Sequence, residues 1–242
     1  MKILSTQYNI LYSRISNLRK IILGYEDMLL DEFTHCQVIP IPDEAPPEIP
    51  RVTTTTKSGY STLQISLTGT VFHTIYDNNF NEDWDKCHNY LNKKSKFIYG
   101  VMNCLGPEQM YTQGFAVQIL LEGLKTDPVE VLKKGISLIN TKYFFHDLGF
   151  NAALVKQDKY YINIQLSNAR ITQMPVTTKT PVHENDFINC LILNIEVNDR
   201  KQFNENNKYK SSKEVVDELL KVLTEIIKNG FDAFIETGVL EL

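Results

Sequence analysis

Five prolines, Pro40, Pro42, Pro46, Pro47 and Pro50, fall within eleven residues, with Asp43, Glu44 and Glu48 among them. Proline fixes its own φ and offers no N–H, so this run favours polyproline II and cannot be a central strand. Immediately after it, Val52 to Thr56 are largely β-branched, "KSG" supplies a turn, and Leu63, Ile65 and Leu67 alternate, which predicts a hairpin. A hairpin with one apolar face needs a layer to cover it, and the long apolar periodicity before it lies at the N-terminus. The prolines therefore read as a stiff surface crossing inside one unit, residues 1–242, rather than a tether between two.

The N-terminal periodicity is Leu11, Ile15, Leu18, Ile22, Tyr25 and Leu29, in alternating steps of four and three. That spacing predicts an amphipathic helix, its stripe packed on its own domain or presented as an interface to a partner or a second copy. Residues 2–10 could instead be a short strand. Downstream, 78–106 reads as a helix capped by Asn79 or Asn81, with Trp84, Cys87, Leu91, Ile98, Met102 and Leu105 on its apolar side and Gly106-Pro107 as its stop. Residues 114–124 read as a buried strand. Asp127 and Pro128 open a helix extending to about 139. A hairpin turning at Gln157-Asp158 follows, then a central-type strand at 187–197.

The closing helix has the clearest signal, with Ser211 and Glu214 as a capping box and a buried stripe from Val216 through Leu219, Leu220, Leu223, Ile226, Ile227, Phe231 and Phe234. Single helices interspersed with hairpins predict an α+β fold, a largely antiparallel sheet with helices packed on one side. "VTTTTK" at 52–57 and "VTTKT" at 176–180 echo each other. On that reading the chain divides into two related halves, 1–140 and 141–242; chance similarity of threonine-rich strands accounts for the echo equally well.

The net charge of −4 gives no general attraction to nucleic acid or anionic lipid, so polyanion binding would require a local basic patch. The four cysteines, Cys36, Cys87, Cys104 and Cys190, form no C-x-x-C pair. No leader-like start and no apolar run of roughly 18 residues is found, so the expectation is a cytoplasmic protein with reduced thiols and no membrane partner.

Phosphate-loop, dinucleotide, zinc-protease, nucleophile-elbow and EF-hand signatures are missing, and no cofactor or metal is expected. His35-Cys36 and Cys87-His88 are adjacent pairs; neighbours on a helix diverge by about 100°, which is unsuited to holding one ion. His73, His146 and His183 are isolated. Asp199-Arg200-Lys201, with Glu196 and Asp186 upstream, loosely matches the acid-and-lysine pattern of metal-dependent nucleases, and Asp158-Lys159 matches it less well. The connector 199–213 gathers Arg200, Lys201, Lys208, Lys210 and Lys213 around Phe203 and Tyr209, which suits phosphate contacts and base stacking. Residues 168–186 form a second long connector, a candidate flap.

The segments "PRVTTTTKSGYSTLQISL" and "NEDWDKCHNYL", with the terminal "LILNIEV…SSKEVVDELLKVLTEIIKNGFDAFI", together resemble a sporadically distributed bacterial family of uncharacterised proteins of about this length. The resemblance covers roughly residues 15–240 and implies an accessory component of mobile or defence loci, with a shape but no catalytic residues to transfer. Two functions are thus expected. The first is a non-catalytic protein-interaction or assembly component, possessing a protein partner or self-associating through the N-terminal stripe or an exposed sheet edge. The second is nucleotide or nucleic-acid binding, extending to a nuclease, through the 199–213 loop.

Overall fold

The computed structural model describes residues 1–242 apart from 43, 125, 135–143, 173–182, 184–185, 207, 238–242 and the side chains of 229–233 and 235–237. The chain begins with β1 (Lys2–Tyr12), followed by the short helices α1 (Leu18–Leu23) and α2 (Glu26–Leu29). Next come β2 (Gln37–Val38), β3 (Val52–Thr55), β4 (Ser61–Ile65), β5 (Gly69–Ile75) and the long helix α3 (Trp84–Cys104). The second part comprises β6 (Met110–Leu121), α4 (Pro128–Lys133), β7 (Gly149–Lys156), β8 (Tyr160–Thr172), β9 (Phe187–Asn198), α5 (Arg200–Glu205) and α6 (Lys213–Thr237).

All nine described strands join one antiparallel sheet in the order β2-β3-β4-β5-β1-β6-β9-β8-β7. Helix α3 packs on α6 and β1, and α6 packs on β6 and β9, so both long helices cover one face. The α+β expectation, antiparallel sheet with helices on one side, is met. Leaving aside the two-residue β2, the order is also a topological palindrome about the β1–β6 pair. Strand, short helix, three strands and long helix occur as β1, α1–α2, β3–β5, α3, then again as β6, α4, β7–β9, α6. In that order β6 is the counterpart of β1, so the topological repeat begins at Met110. The second member of the threonine echo, 176–180, lies outside the described residues.

The N-terminal stripe is the largest departure from expectation. Tyr8, Ile10 and Tyr12 enter the core at strand period while Gln7, Asn9 and Leu11 face the other way, and β1 is hydrogen-bonded on both sides, to β5 and β6. Ladder pairing on both edges outweighs a helical spacing that occurs there by coincidence. Asn17 then adopts a left-handed conformation, φ 56°, which ends any helix continuing from β1, and only six residues of α1 follow. Ile15, Leu18, Ile22 and Leu29 still reach the core, from a turn and two separate short helices, while Tyr25 is half-buried and Leu11 lies 44% exposed on β1. Four of the six stripe residues are therefore spent on the chain's own interior and offer no surface to a partner.

Smaller corrections concern caps. Asp83, not Asn79 or Asn81, caps α3 by accepting from the Lys86 N–H at 3.1 Å. Ser212, not Ser211, precedes α6 and bonds Glu214 at 2.6 Å, because the Ser211 hydroxyl is committed elsewhere. Asp127 caps α4 as expected, and Gln157 and Asp158 take φ of 52° and 58° at the β7–β8 turn. The α4 residues expected beyond 134 and most of the 168–186 connector lie outside the described residues, as does the Phe231 side chain. The remaining α6 stripe, Val216 to Ile227 with Phe234, is buried, each large side chain contributing roughly 1.5–3 kcal/mol.

At the sheet centre β6 and β9 approach closely where Gly114 pairs with Asn198. A Cβ on Gly114 would stand 2.9 Å from the Asn198 Cβ. Gly114→Ala is expected to cost about 1–2 kcal/mol by overpacking, measured by thermal unfolding. Adding Asn198→Gly should recover part of that loss.

Candidate functional site

The face of the sheet opposite the helices is lined by polar side chains. On β1, β6, β8 and β9, the residues alternating with the core are Gln7, Gln118, Asn163, Gln165, Asn194 and Glu196, and β7 adds Asn151. They line a trough of about 790 Å³ that reaches His73 on β5. Strand period dictates this: every second residue must face the helices, so the intervening ones share the open face. The carboxamides interlock, with Gln118 Nε2 donating to Asn194 Oδ1 at 3.1 Å and Asn163 Nδ2 to Glu196 Oε2 at 3.2 Å. This face can exchange hydrogen bonds, and among the described residues it holds no nucleophile hydrogen-bonded to a base.

The two ends of the sheet differ. At one end β2 is only two residues long and is followed by Pro40 and Pro42, which blunt it. At the other end β7 pairs with β8 on its inner side over eight residues, and no described strand pairs with its outer side. Its segment Gly149–Val155 has no charge and no proline. Phe150, Leu154 and Val155 are 50%, 38% and 50% exposed, and Phe144 nearby is almost fully exposed. Length, neutrality and apolar side chains are the properties that natural edge strands ordinarily avoid.

The basic connector is not one surface. Arg200 is exposed at the start of α5 and borders a concavity that also contains Glu48 and Glu196. Lys201 is buried, its Nζ paired with Asp158 at 3.0 Å and with Glu205. Lys208, Lys210 and Lys213 are exposed, spread over the connector and the first residue of α6. Both aromatics already have partners within the fold: Phe203 sits against the Tyr111 ring at 5.2 Å, and the Tyr209 hydroxyl donates to Asp199 Oδ2 at 2.8 Å.

Asp199 is fully buried and accepts from the Gln113 N–H at 2.7 Å, from Tyr209 and from Ser211. Gln113 in turn donates to Ser211 Oγ at 2.9 Å and to the Ser212 carbonyl at 2.8 Å, and accepts from Tyr8. Burial raises the Asp199 carboxyl above its ordinary 3.8 despite these donors. The network ties β6 and β1 to the start of α6, a structural task. Asp186 lies at the far end of β9, roughly 40 Å away at about 3.3 Å per residue, and cannot share an ion with Asp199. Among the described residues no three His, Cys, Asp or Glu side chains gather at metal-binding distance.

Burial suppresses the thiolate at two of the four cysteines. Burial pushes the Cys36 thiol up to about 11 and the Cys87 thiol up to about 12, so neither carries appreciable thiolate near neutrality. His35 is exposed beside Glu26 at 3.1 Å, and His88 lies against Trp84. Among the described residues no helix is long and apolar enough to cross a membrane. In comparisons with known proteins, the chain matches no family model, no curated protein and no solved structure. The class defined by this geometry is an α+β protein built on one sheet, with an amide-lined open face and one unblunted edge. The sequence is consistent with an exposed sheet edge but does not single out β7, since edge position depends on strand order.

Proposed function

We propose that this protein is a non-catalytic assembly component that self-associates by pairing β7 with β7 of a second copy. The observation that carries the reading is the outer edge of β7, uncharged from Gly149 to Val155, with its exposed Phe150, Leu154 and Val155. A second copy suits the strand because it is self-complementary. A two-fold axis through Ala152 sets Phe150 opposite Leu154 of the other copy and Asn151 opposite Ala153, with no like charges opposed. Backbone donors and acceptors on both edges are then satisfied, and the apolar side chains of each cover those of the other. The resemblance in sequence to accessory components of mobile or defence loci is compatible with such a role, and the biological setting is part of this proposal.

The test is sedimentation velocity of the intact chain beside the variant Phe150→Lys/Leu154→Lys. A concentration-dependent dimer is expected, weakened at least thirtyfold, about 2 kcal/mol, in the variant, with circular dichroism unchanged. A monomer at all concentrations, or a dimer indifferent to both lysines, refutes the reading. Because the association is apolar and main-chain in nature, raising salt should leave it nearly unchanged.

A further inference from the structure

A second concavity lies away from the trough and from the β7 edge. The turn after β1, the start of α1, Arg51 and Leu67 enclose about 360 Å³, lined by Arg14, Ser16, Asn17, Lys20 and Arg51, together with Arg19 and apolar neighbours. Arg14, Lys20 and Arg51 thus meet at one pocket of a chain whose net charge is −4, and no described carboxylate lines it. Arg51 is fully buried. Its guanidinium donates to the carbonyls of Ile49 at 2.6 Å, Ala45 at 3.0 Å, Pro46 at 3.3 Å and Pro42 at 3.4 Å. Carbonyls satisfy N–H groups but do not cancel the charge, and the Nε of Arg51 is buried with no hydrogen-bond partner. Arg19 is engaged, donating to the Ile41 carbonyl. Arg14 and Lys20 are exposed at the rim and form no ion pair among the described residues.

Retaining a buried guanidinium with no counter-ion among the described residues is costly, and the cost falls when an anion approaches. The rim adds a second guanidinium fork, an ammonium, a hydroxyl and a carboxamide. We propose that this pocket binds a compact phosphorylated ligand, a phosphomonoester or pyrophosphate group. Arg14 and Lys20 make the direct contacts, Ser16 and Asn17 supply hydrogen bonds, and Arg51 provides positive potential from the floor. Guanidinium forks match phosphate oxygens in pairs, and several converging cations suit a dianion better than a carboxylate. A compact ligand fits better than a nucleic-acid strand because the cations are gathered in one concavity, not strung along a track.

Isothermal titration of the full chain with pyrophosphate and inorganic phosphate tests this, with acetate and a single-stranded oligonucleotide as comparison titrants. Saturable pyrophosphate binding that weakens with salt is expected, together with at least a tenfold loss in Arg14→Ala/Lys20→Ala. Both side chains are exposed, so the thermal midpoint of the free variant should stay that of the parent; if it falls, Arg14→Gln and Lys20→Gln singly should each still weaken binding about threefold. No saturable binding, binding indifferent to these substitutions, or acetate binding as tightly as pyrophosphate overturns the proposal. Tight binding of the oligonucleotide alone also overturns it and assigns the pocket to a nucleic-acid backbone. Dimerisation through β7 is read separately by sedimentation, so failure of either proposal leaves the other standing.

Discussion

Asp199→Ala is expected to lower the unfolding free energy by about 4 kcal/mol, since three donors lose their acceptor and each buried unsatisfied group costs roughly 1–3 kcal/mol. The donors are the Gln113 N–H, the Tyr209 hydroxyl and the Ser211 hydroxyl. Tyr209 is half-buried and regains some water, which keeps the total below the sum of three full penalties. Urea unfolding gives the value, with an unchanged denaturant slope if the native state keeps its compactness. A loss under 1 kcal/mol would mean that the network does not hold β6 to α6.

Asp199→Asn separates charge from geometry. The carboxamide oxygen can still accept from Gln113, and the two hydroxyls can rotate to accept from its NH₂, so the cost should be about 1–2 kcal/mol. The pH dependence should change in a defined direction. Burial raises the carboxyl pKa in the folded state above 3.8, so the folded protein holds this proton more tightly than the unfolded chain does. The group's favourable contribution is complete below 3.8 and is lost as pH rises through the folded-state pKa. The stability of the parent relative to Asp199→Asn should therefore be greatest in acid and decline above pH 3.8. A relative stability that rises with pH would show that the hydrogen bonds to the ionised form outweigh desolvation.

Arg51→Ala should cost about 3 kcal/mol. The guanidinium spans four carbonyls of the proline crossing, and their release leaves that segment without its anchor. Arg51→Lys should recover less than half of the loss, because a single ammonium cannot reach carbonyls that a planar fork addresses together. Hydrogen exchange localises the effect. The amides of Ala45, Ile49 and Leu67, which donate to Pro42, Pro46 and Pro47, should exchange faster in both variants, whereas β8 and β9 amides should not. Uniform acceleration across the sheet would show that Arg51 supports the whole fold instead of this crossing.

Much of the architecture is legible in the chain. The α6 stripe, the alternation in β4 and β8, the Asp127-Pro128 helix start and the Gln157-Asp158 turn all follow from local chemistry, and the structure holds them. The site is less legible. Lys201 reads as a free cation in the sequence, yet it is buried against Asp158, which the fold brings from a distant turn. Asp199 reads as a possible metal ligand and is instead a buried acceptor. Arg51 has no sequence signal beyond its position after a proline, and it becomes the floor of a basic pocket only once the chain folds back over it.

Period and turn chemistry are local quantities, so the sequence by itself determined that alternating segments and amphipathic helices would build a layered α+β protein. Strand order, the place of β7 at the end of the described sheet and the gathering of Arg14, Lys20 and Arg51 were decided by tertiary structure alone. The N-terminus shows why. Its residues permit either a helix or a strand, and hydrogen bonds from two neighbours remote in sequence select the strand.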